Sequence, residues 1–273
     1  MKLFSAVVAV VVAALPMQAA IAIEPTLGEI VDTRSSGNTM GGLRVELKVV
    51  GDEVPDVEGM RASVISVLDE TGRDLNDLSR QGSQSQRFSS MRSGNGISLR
   101  FKNPSRKAGT LKELIGRLDL FIPRNDPESV LVLDNAPSRF DQTIESTAYK
   151  TSSFSLVMMN RQQFDARQKR ETEAISKAGG PLGGLLAGLG GLNASSDNAV
   201  YVRVSDPEGR FVSIEFEDAR GQRIKPSSTV TMNDTYTLSF AAPLPADAKA
   251  RIKVATPRAV VRVPFQFENV VLP

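Results

Sequence analysis

One stretch of the sequence carries basic residues with no acid between them. Residues 24–77 contain 12 acids and 5 bases, whereas residues 78–112 contain no acid. Guanidinium forks bind phosphate and carboxylate through two parallel hydrogen bonds. Charge runs are more often solvated faces, so the favoured interpretation is that the basic segment packs beside 24–77 and neutralises it. The alternative is an anion-binding surface. Its predicted residues are Arg80, Arg87, Phe88, Arg92, Arg106 and Lys107.

Clustered carboxylates raise a second chemistry. Asp52, Glu53, Asp56 and Glu58 lie close together in the sequence. A glycosidase needs two carboxyl groups about 5–10 Å apart in a cleft, and closeness along the chain does not establish that geometry. The favoured interpretation is a solvated acidic loop around Pro55.

Two Asp-x-x-Gly sequences, Asp69 to Gly72 and Asp218 to Gly221, raise the question of a calcium site. Calcium binds about 6–8 oxygen ligands, and the spacing of an EF-hand loop is absent from the chain. Asp and Gly are also favoured in tight turns for backbone reasons alone. We therefore predict two turns and no metal site.

Two residue types that carry much of enzyme chemistry are missing. The chain has no Cys, so it forms no disulfide and offers no thiolate nucleophile or metal ligand. It has no His, which excludes the common catalytic triads, HExxH zinc sites and imidazole acid–base catalysis. No recognisable Ser–Lys catalytic motif occurs. We predict a protein that is not an enzyme, with no catalytic residues and no cofactor.

The N-terminal sequence predicts export. In residues 1–22, Lys2 precedes an apolar run that ends with Ala20 and Ala22 at the −3 and −1 positions of a signal-peptide cleavage site. The net charge of +2 is close to neutral and argues against a nucleic-acid-binding protein. After residue 22, no apolar run approaches the roughly 18 residues of a membrane helix. We expect a periplasmic or extracellular protein whose mature chain has no transmembrane span.

Short alternating segments make up most of the chain that must position these residues. In 43–50, four apolar residues alternate with Arg44, Glu46 and Lys48, which is typical of a strand with one buried face. Segments rich in Gly, Pro, Asn and Ser separate these runs, and 79–96 and 227–234 are predicted to be Ser-rich loops. The predicted strands are 43–50, 61–68, 97–102, 117–122, 129–134, 153–159, 199–204, 211–217, 235–240, 250–254 and 259–267.

One segment differs from the strands. Residues 160–178 are polar, rich in helix formers and free of Gly and Pro, so they predict a helix. The next residues, 179–196, are rich in Gly and Leu, and the leucines within 181–192 have helical spacing. A stretch this short cannot span a bilayer. The favoured interpretation is a linker, and the alternative is membrane association or self-association through 181–192.

The sequence contains a weak internal repeat. VISVLDETGRDL (64–75) and VSIEFEDARGQRI (212–224) each combine a strand, an Asp-x-x-Gly turn and a return to an apolar residue. Each is followed by a Ser-rich loop, an alternating strand and paired closing strands. In this order the chain resembles tandem immunoglobulin-like or fibronectin-III-like domains of uncharacterised exported bacterial proteins. The resemblance implies a fold and no catalytic residue.

These features predict an all-β protein with two immunoglobulin-like β-sandwich domains joined by one short helix and a Gly/Leu-rich linker. The expected function is a non-enzymatic interaction or structural module of the bacterial cell envelope, whose partner is a protein or an anionic component reached through 78–112. The alternatives are an envelope-glycan hydrolase with a carboxylate pair and a membrane-associating protein. The predicted limits are 1–22 for the signal peptide, 24–158 and 197–273 for the domains, and 159–196 for the helix and linker.

Overall fold

The structure is a computed structural model that describes residues 23–34, 41–77, 87–90, 96–145, 154–179, 197–232 and 234–273. Within these ranges it confirms the all-β prediction, with sixteen strands and one α-helix. The strands are β1 (Glu24–Thr33), β2 (Gly42–Val50), β3 (Gly59–Asp69), β4 (Ser89–Ser90), β5 (Gly96–Phe101), β6 (Thr110–Phe121), β7 (Val130–Leu133), β8 (Thr143–Ile144), β9 (Ser155–Met159), β10 (Ala199–Ser205), β11 (Phe211–Glu217), β12 (Arg223–Ile224), β13 (Ser228–Met232), β14 (Thr235–Ser239), β15 (Lys249–Val254) and β16 (Val260–Val271). The helix is α1 (Arg161–Gly179).

The alternating segments form strands with the predicted faces. In β2 the four apolar residues from Leu43 to Val49 are each at most 1% exposed, while Arg44 and Lys48 face solvent. In β16, Phe265 is buried, and its neighbours Pro264 and Gln266 are exposed. Side chains of a strand point to opposite faces in turn, so the apolar set of each strand reaches the interior together.

The prediction of a Ser-rich loop at 227–234 is wrong. Residues Ser228–Met232 form β13, which pairs with β14 from Ser228↔Ser239 to Met232↔Thr235. Every residue of β13 is exposed, so the strand has no buried apolar face. The other predicted Ser-rich loop, 79–96, lies mostly outside the described residues.

The strands form four antiparallel sheets, whose orders are β1-β2-β5, β16-β6-β3-β4, β12-β11-β15-β7 and β13-β14-β10-β9-β8. Residues of the first two sheets share one hydrophobic cluster, which includes Leu47, Leu118 and Phe265. Residues of the other two sheets share a second cluster, which includes Leu156 and Ile252.

Each cluster draws strands from both of the predicted segments, 24–158 and 197–273. β16 pairs with β6 along its whole length, from Val260↔Phe121 to Val271↔Thr110. In the second cluster, β9 pairs with β10 and β7 pairs with β15. The strand pairing therefore joins residues that lie on both sides of the predicted linker.

The predicted helix is confirmed as α1, and its first turn is capped by side chains. The side-chain oxygen of Asn160 accepts a hydrogen bond from the Gln163 N–H at 2.9 Å, and the side chain of Gln163 accepts one from the Asn160 N–H at 3.0 Å. This reciprocal pair is a capping box, which satisfies two N–H groups at the helix start. In the described part of the chain no helix is long and apolar enough to cross a membrane. The segment 181–192 lies outside the described residues.

Candidate functional site

The structure places the predicted anion-binding residues at two distant positions. Arg106 and Lys107 are exposed in the turn between β5 and β6. Arg87 and Phe88 lie beside the far end of β6. Because β6 has 12 residues, its ends are on the order of 35 Å apart at about 3.3 Å per residue. The four described members therefore do not form one surface. The two members outside the described residues are Arg80 and Arg92.

The turn between β5 and β6 is held by two acids at the end of β3. The Ser105 N–H donates to Oδ2 of Asp69 at 2.8 Å. The Gly109 N–H and the Thr110 hydroxyl donate to the two oxygens of Glu70, each at 3.0 Å. Arg106 and Lys107 lie between these anchors. The turn therefore has a fixed backbone, although its basic side chains face solvent.

Asp69 is buried, and hydrogen bonds from neutral donors stabilise its negative charge. Its Oδ1 accepts the N–H and hydroxyl of Thr71 at 2.9 and 2.6 Å and the Arg73 N–H at 3.1 Å. Burial alone would raise the pKa of the Asp69 carboxyl, but these bonds and the bond from Ser105 outweigh it and hold the pKa below its usual value. Both oxygens of this carboxylate therefore accept hydrogen bonds within the protein.

Two further bases adjoin this turn. Arg100 and Lys102 lie on the solvent side of β5 and just after it, and both are exposed. We call Arg100, Lys102, Arg106 and Lys107 the basic turn. Within the described ranges, no ion pair joins any of the four to an acid. Arg100 also lies directly opposite Arg44 of β2, and like charges opposed across strands are destabilising.

Among the described residues, the ion pairs formed by acids of 24–77 are made with bases outside 78–112. Three of them lie within 24–77 itself, and the others reach Arg124 and Lys253. These pairs give no support to the interpretation in which the basic segment neutralises the acids. The pairs are Asp32–Arg34 at 2.6 Å, Glu29–Arg44 at 2.8 Å, Glu46–Lys48 at 3.3 Å, Glu53–Arg124 at 3.9 Å, Asp56–Arg124 at 2.5 Å and Glu58–Lys253.

Phe88 lies in a further small hydrophobic cluster with Phe121 of β6 and Val212 of β11, and Arg87 precedes it. Phe88 is buried, and Arg61 lies over its ring with its guanidinium carbon 4.6 Å from the ring centroid. Arg61 also donates to the carbonyl oxygen of Gly209, in the loop between β10 and β11, at 3.2 Å. Arg87 forms an ion pair with Asp234. These contacts give Arg87 and Phe88 a structural role.

A phenol lies beside the Arg87–Asp234 pair. Burial raises the pKa of the Tyr236 side chain, and the carboxylates of Asp206 and Asp234 raise it further. Arg87 opposes this shift. The phenol therefore stays protonated at neutral pH.

A groove of about 250 Å³ lies between α1 and the sheet that contains β13 and β14. Phe164 of α1 stacks on Tyr201 of β10, with the ring centroids 4.0 Å apart. Arg203 on the groove wall donates to Oε1 of Glu171 at 2.5 Å, and Arg167 lies 3.6 Å from the same oxygen. The two arginines share one acid, so the groove carries less free charge than the basic turn.

The two Asp-x-x-Gly turns have the same internal hydrogen bonds, which confirms them as turns. Oδ1 of Asp218 accepts hydrogen bonds from the N–H groups of Arg220 and Gln222 at 2.9 and 2.8 Å. In the same way, Oδ1 of Asp69 accepts hydrogen bonds from the N–H groups of Thr71 and Arg73. Gly72 and Gly221 have φ values of 81° and 77°, which favour glycine. In the described part of the chain, no group of three or more acids could hold a metal ion.

The sequence contained a signal for Arg100 and Lys102 that the predicted site did not use. The alternation of ISLRFK places both side chains on the face opposite Leu99 and Phe101, and therefore in solvent.

Comparisons with models of known protein families, with curated proteins and with solved structures give no match to this chain.

Proposed function

We propose that the chain is an exported, non-enzymatic interaction module of the bacterial cell envelope that contacts an anionic partner through the basic turn. The observation that carries the proposal is that Arg100, Lys102, Arg106 and Lys107 are exposed and have no acid partner within the described ranges. Asp69 and Glu70, two acids beside the turn, accept hydrogen bonds from its backbone and stabilise it.

We further propose that the fold consists of two β-sandwiches of the immunoglobulin-like kind, each containing strands from both predicted segments. Support comes from the two hydrophobic clusters, since each is lined by residues of two antiparallel sheets. In such a sandwich the inner faces of two sheets meet and the outer faces remain polar. The basic turn then lies at one end of the first sandwich, where loops commonly carry binding residues.

The partner recognised by this surface carries phosphate or carboxylate groups. Arginine binds either group with two hydrogen bonds, and lysine adds a mobile positive charge. Both groups occur on anionic lipids and on acidic polysaccharides, so the test has one arm for each source. Residues 1–22 are the basis for the prediction of export, and export places the module beside such components.

The test removes the four positive charges. We expect the variant with Arg100, Lys102, Arg106 and Lys107 all replaced by Ser to lose binding to vesicles containing phosphatidylglycerol by at least about 100-fold, since a base near an anionic lipid surface contributes about 1 kcal/mol. Binding of the unaltered protein should weaken as salt rises, because exposed charges are screened within about 8–10 Å at physiological salt. Co-sedimentation with vesicles measures the lipid arm, and retention on immobilised heparin measures the polysaccharide arm.

A matched control removes four exposed bases elsewhere. Arg139, Arg220, Lys225 and Arg258 are exposed and form no ion pair within the described ranges. Their replacement by Ser gives the same net charge and should leave most of the binding intact. Equal losses in the two variants, or no binding to either probe at low salt, would show that the basic turn is not an anion site.

A further inference from the structure

β13 is an edge strand without the usual protection against pairing. It pairs with β14 on one side and ends the sheet order on the other. All five of its residues are exposed, including Val230 at 49% and Met232 at 55%. Its sequence, STVTM, has neither a charge nor a proline. Charged residues and prolines are the features by which edge strands avoid pairing with other chains.

Other edge strands of the molecule do carry such features. β16 contains Arg262, Pro264 and Glu268, all of them exposed. β1 contains three acids in ten residues. At the opposite edge of the sheet that contains β13, β8 has only two residues. The edge strand β7 (VLVL) also lacks a charge and a proline, but it has only four residues. The edge of β13 therefore contrasts with those of β1, β8 and β16.

We propose that β13 pairs antiparallel with β13 of a second copy of the chain, so that two copies form a two-fold symmetric dimer. The sequence Thr229-Val230-Thr231 reads the same in both directions. An antiparallel register centred on Val230 therefore places Val230 opposite Val230 and Thr229 opposite Thr231 of the second copy. Pairs of β-branched residues and Thr–Thr pairs stabilise antiparallel strands. A self-complementary patch of this kind is what a two-fold interface requires.

The charges around β13 do not oppose pairing in this register. No charged residue lies on β13 itself, so no like charges oppose each other at the axis. Lys225 precedes the strand and is exposed, whereas Asp234 belongs to the turn into β14 and forms an ion pair with Arg87.

The side chains of β13 also fit a continuous sheet. Val230 and Met232 share the face of Thr237 and Thr235 through their pairing with β14. Pairing with a second copy places the exposed apolar residues of both copies in one row on that face. Two five-residue strands bury less than the roughly 1,200 Å² of a standard interface, so the dimer is reversible and its population depends on concentration.

The first test measures the oligomeric state with a charge introduced at the axis. Sedimentation velocity between about 1 µM and 500 µM should show the unaltered protein shifting from monomer to dimer. Val230→Lys and Val230→Glu should each reduce dimerisation at least about tenfold, because like charges then oppose each other. An equimolar mixture of the two variants should recover the dimer. The control is Val132→Lys, which places a lysine at an exposed valine of another edge strand, β7, and should have no effect.

The second test uses the absence of cysteine from the chain. Val230→Cys should form an intermolecular disulfide under mild oxidation, since directly opposed Cβ atoms are about 4.5–5.5 Å apart. Thr229→Cys and Thr231→Cys should cross-link efficiently only when mixed with each other. A protein that stays monomeric at every concentration would overturn the proposal and would favour pairing of β13 with a strand of another protein. Equal cross-linking of all three variants when each is alone would also overturn it.

Discussion

At the scale of single residues, Asp69 is a buried acid whose hydrogen bonds come from two loops. Its Oδ1 accepts N–H groups from its own turn, and its Oδ2 accepts the Ser105 N–H from the loop between β5 and β6. One carboxylate therefore ties the end of β3 to the loop that displays Arg106 and Lys107. An amide at this position would present an NH₂ group to one of the two sets of donors.

We expect Asp69→Asn to lower the free energy of unfolding by about 1–3 kcal/mol at neutral pH, because a buried N–H loses its acceptor. The folded-state pKa of Asp69 is lowered, so its contribution is present above the unfolded value of about 3.9 and is lost as pH falls through the folded value. The difference between the two proteins should therefore narrow in acid. Urea unfolding followed by far-UV circular dichroism from pH 7 down to about pH 2 measures both effects.

Asp218→Asn is the matched control for this prediction. Asp218 occupies the same turn in the second repeat, and its Oδ1 accepts the equivalent N–H groups of Arg220 and Gln222. An amide oxygen can replace that single acceptor atom, and the side chain is only partly buried. The loss of stability should be clearly smaller. Equal losses would mean that the bond from Ser105 adds nothing to the fold.

At the scale of elements, the central strand β6 depends on a glycine. β6 lies between β3 and β16, and Gly116 faces the ring of Phe265. A Cβ at Gly116 would lie 2.4 Å from Cζ of Phe265 and 2.4 Å from the carbonyl oxygen of Ser63. The backbone of Ser63 is fixed by its pairing with Arg117, so the clash cannot be relieved without displacing a paired strand.

We expect Gly116→Ala to lower the free energy of unfolding by about 1–3 kcal/mol, the usual cost of overpacking. Gly109→Ala is the control, because the nearest atom to its new Cβ would be Oε2 of Glu70 at 4.0 Å. That variant should be unchanged or slightly more stable, since alanine restricts the unfolded chain. Thermal unfolding measures both, and a Gly116→Ala protein as stable as the control would contradict the close approach.

The elements that could be predicted from the sequence are those with one buried face. In β2 and β5 the alternation is strict, and the buried set includes Leu43, Val45 and Leu99. In β13 both faces are exposed, and the segment is short and rich in Ser and Thr, so the sequence predicts a loop there. The remaining signal was the β-branched run of Thr229, Val230 and Thr231, which favours strands through side-chain stiffness.

At the scale of the whole molecule, the sequence could not predict which strands pair. It also could not predict that Arg87 and Phe88 lie far from Arg106 and Lys107. Phe88 is buried because Phe121 meets it in an edge-to-face contact with the ring centroids 6.4 Å apart. Its sequence neighbours are polar and suggest a solvent-exposed loop. The pairing of Phe121 with Val260 links residues far apart in the chain, and a local pattern carries no information on such partners. The exposure of Arg106 and Lys107 could be predicted, because it depends on a short turn.

A cut in the chain between 180 and 196 tests how the two halves are held together. We expect a protein with a specific protease site in this stretch, which lies outside the described residues, to be cleaved into two fragments that stay associated in native buffer. Three strand pairs, β9 with β10, β7 with β15 and β6 with β16, join residues on either side of the cut. Separation would expose the buried residues of both hydrophobic clusters, including Leu118 and Ile252, and burial of apolar surface contributes about 25 cal/mol per Å². Gel filtration should give one peak for the cleaved protein at the position of the uncut one, and two peaks only in denaturant. Fragments that separate without denaturant would instead favour independent domains at 24–158 and 197–273.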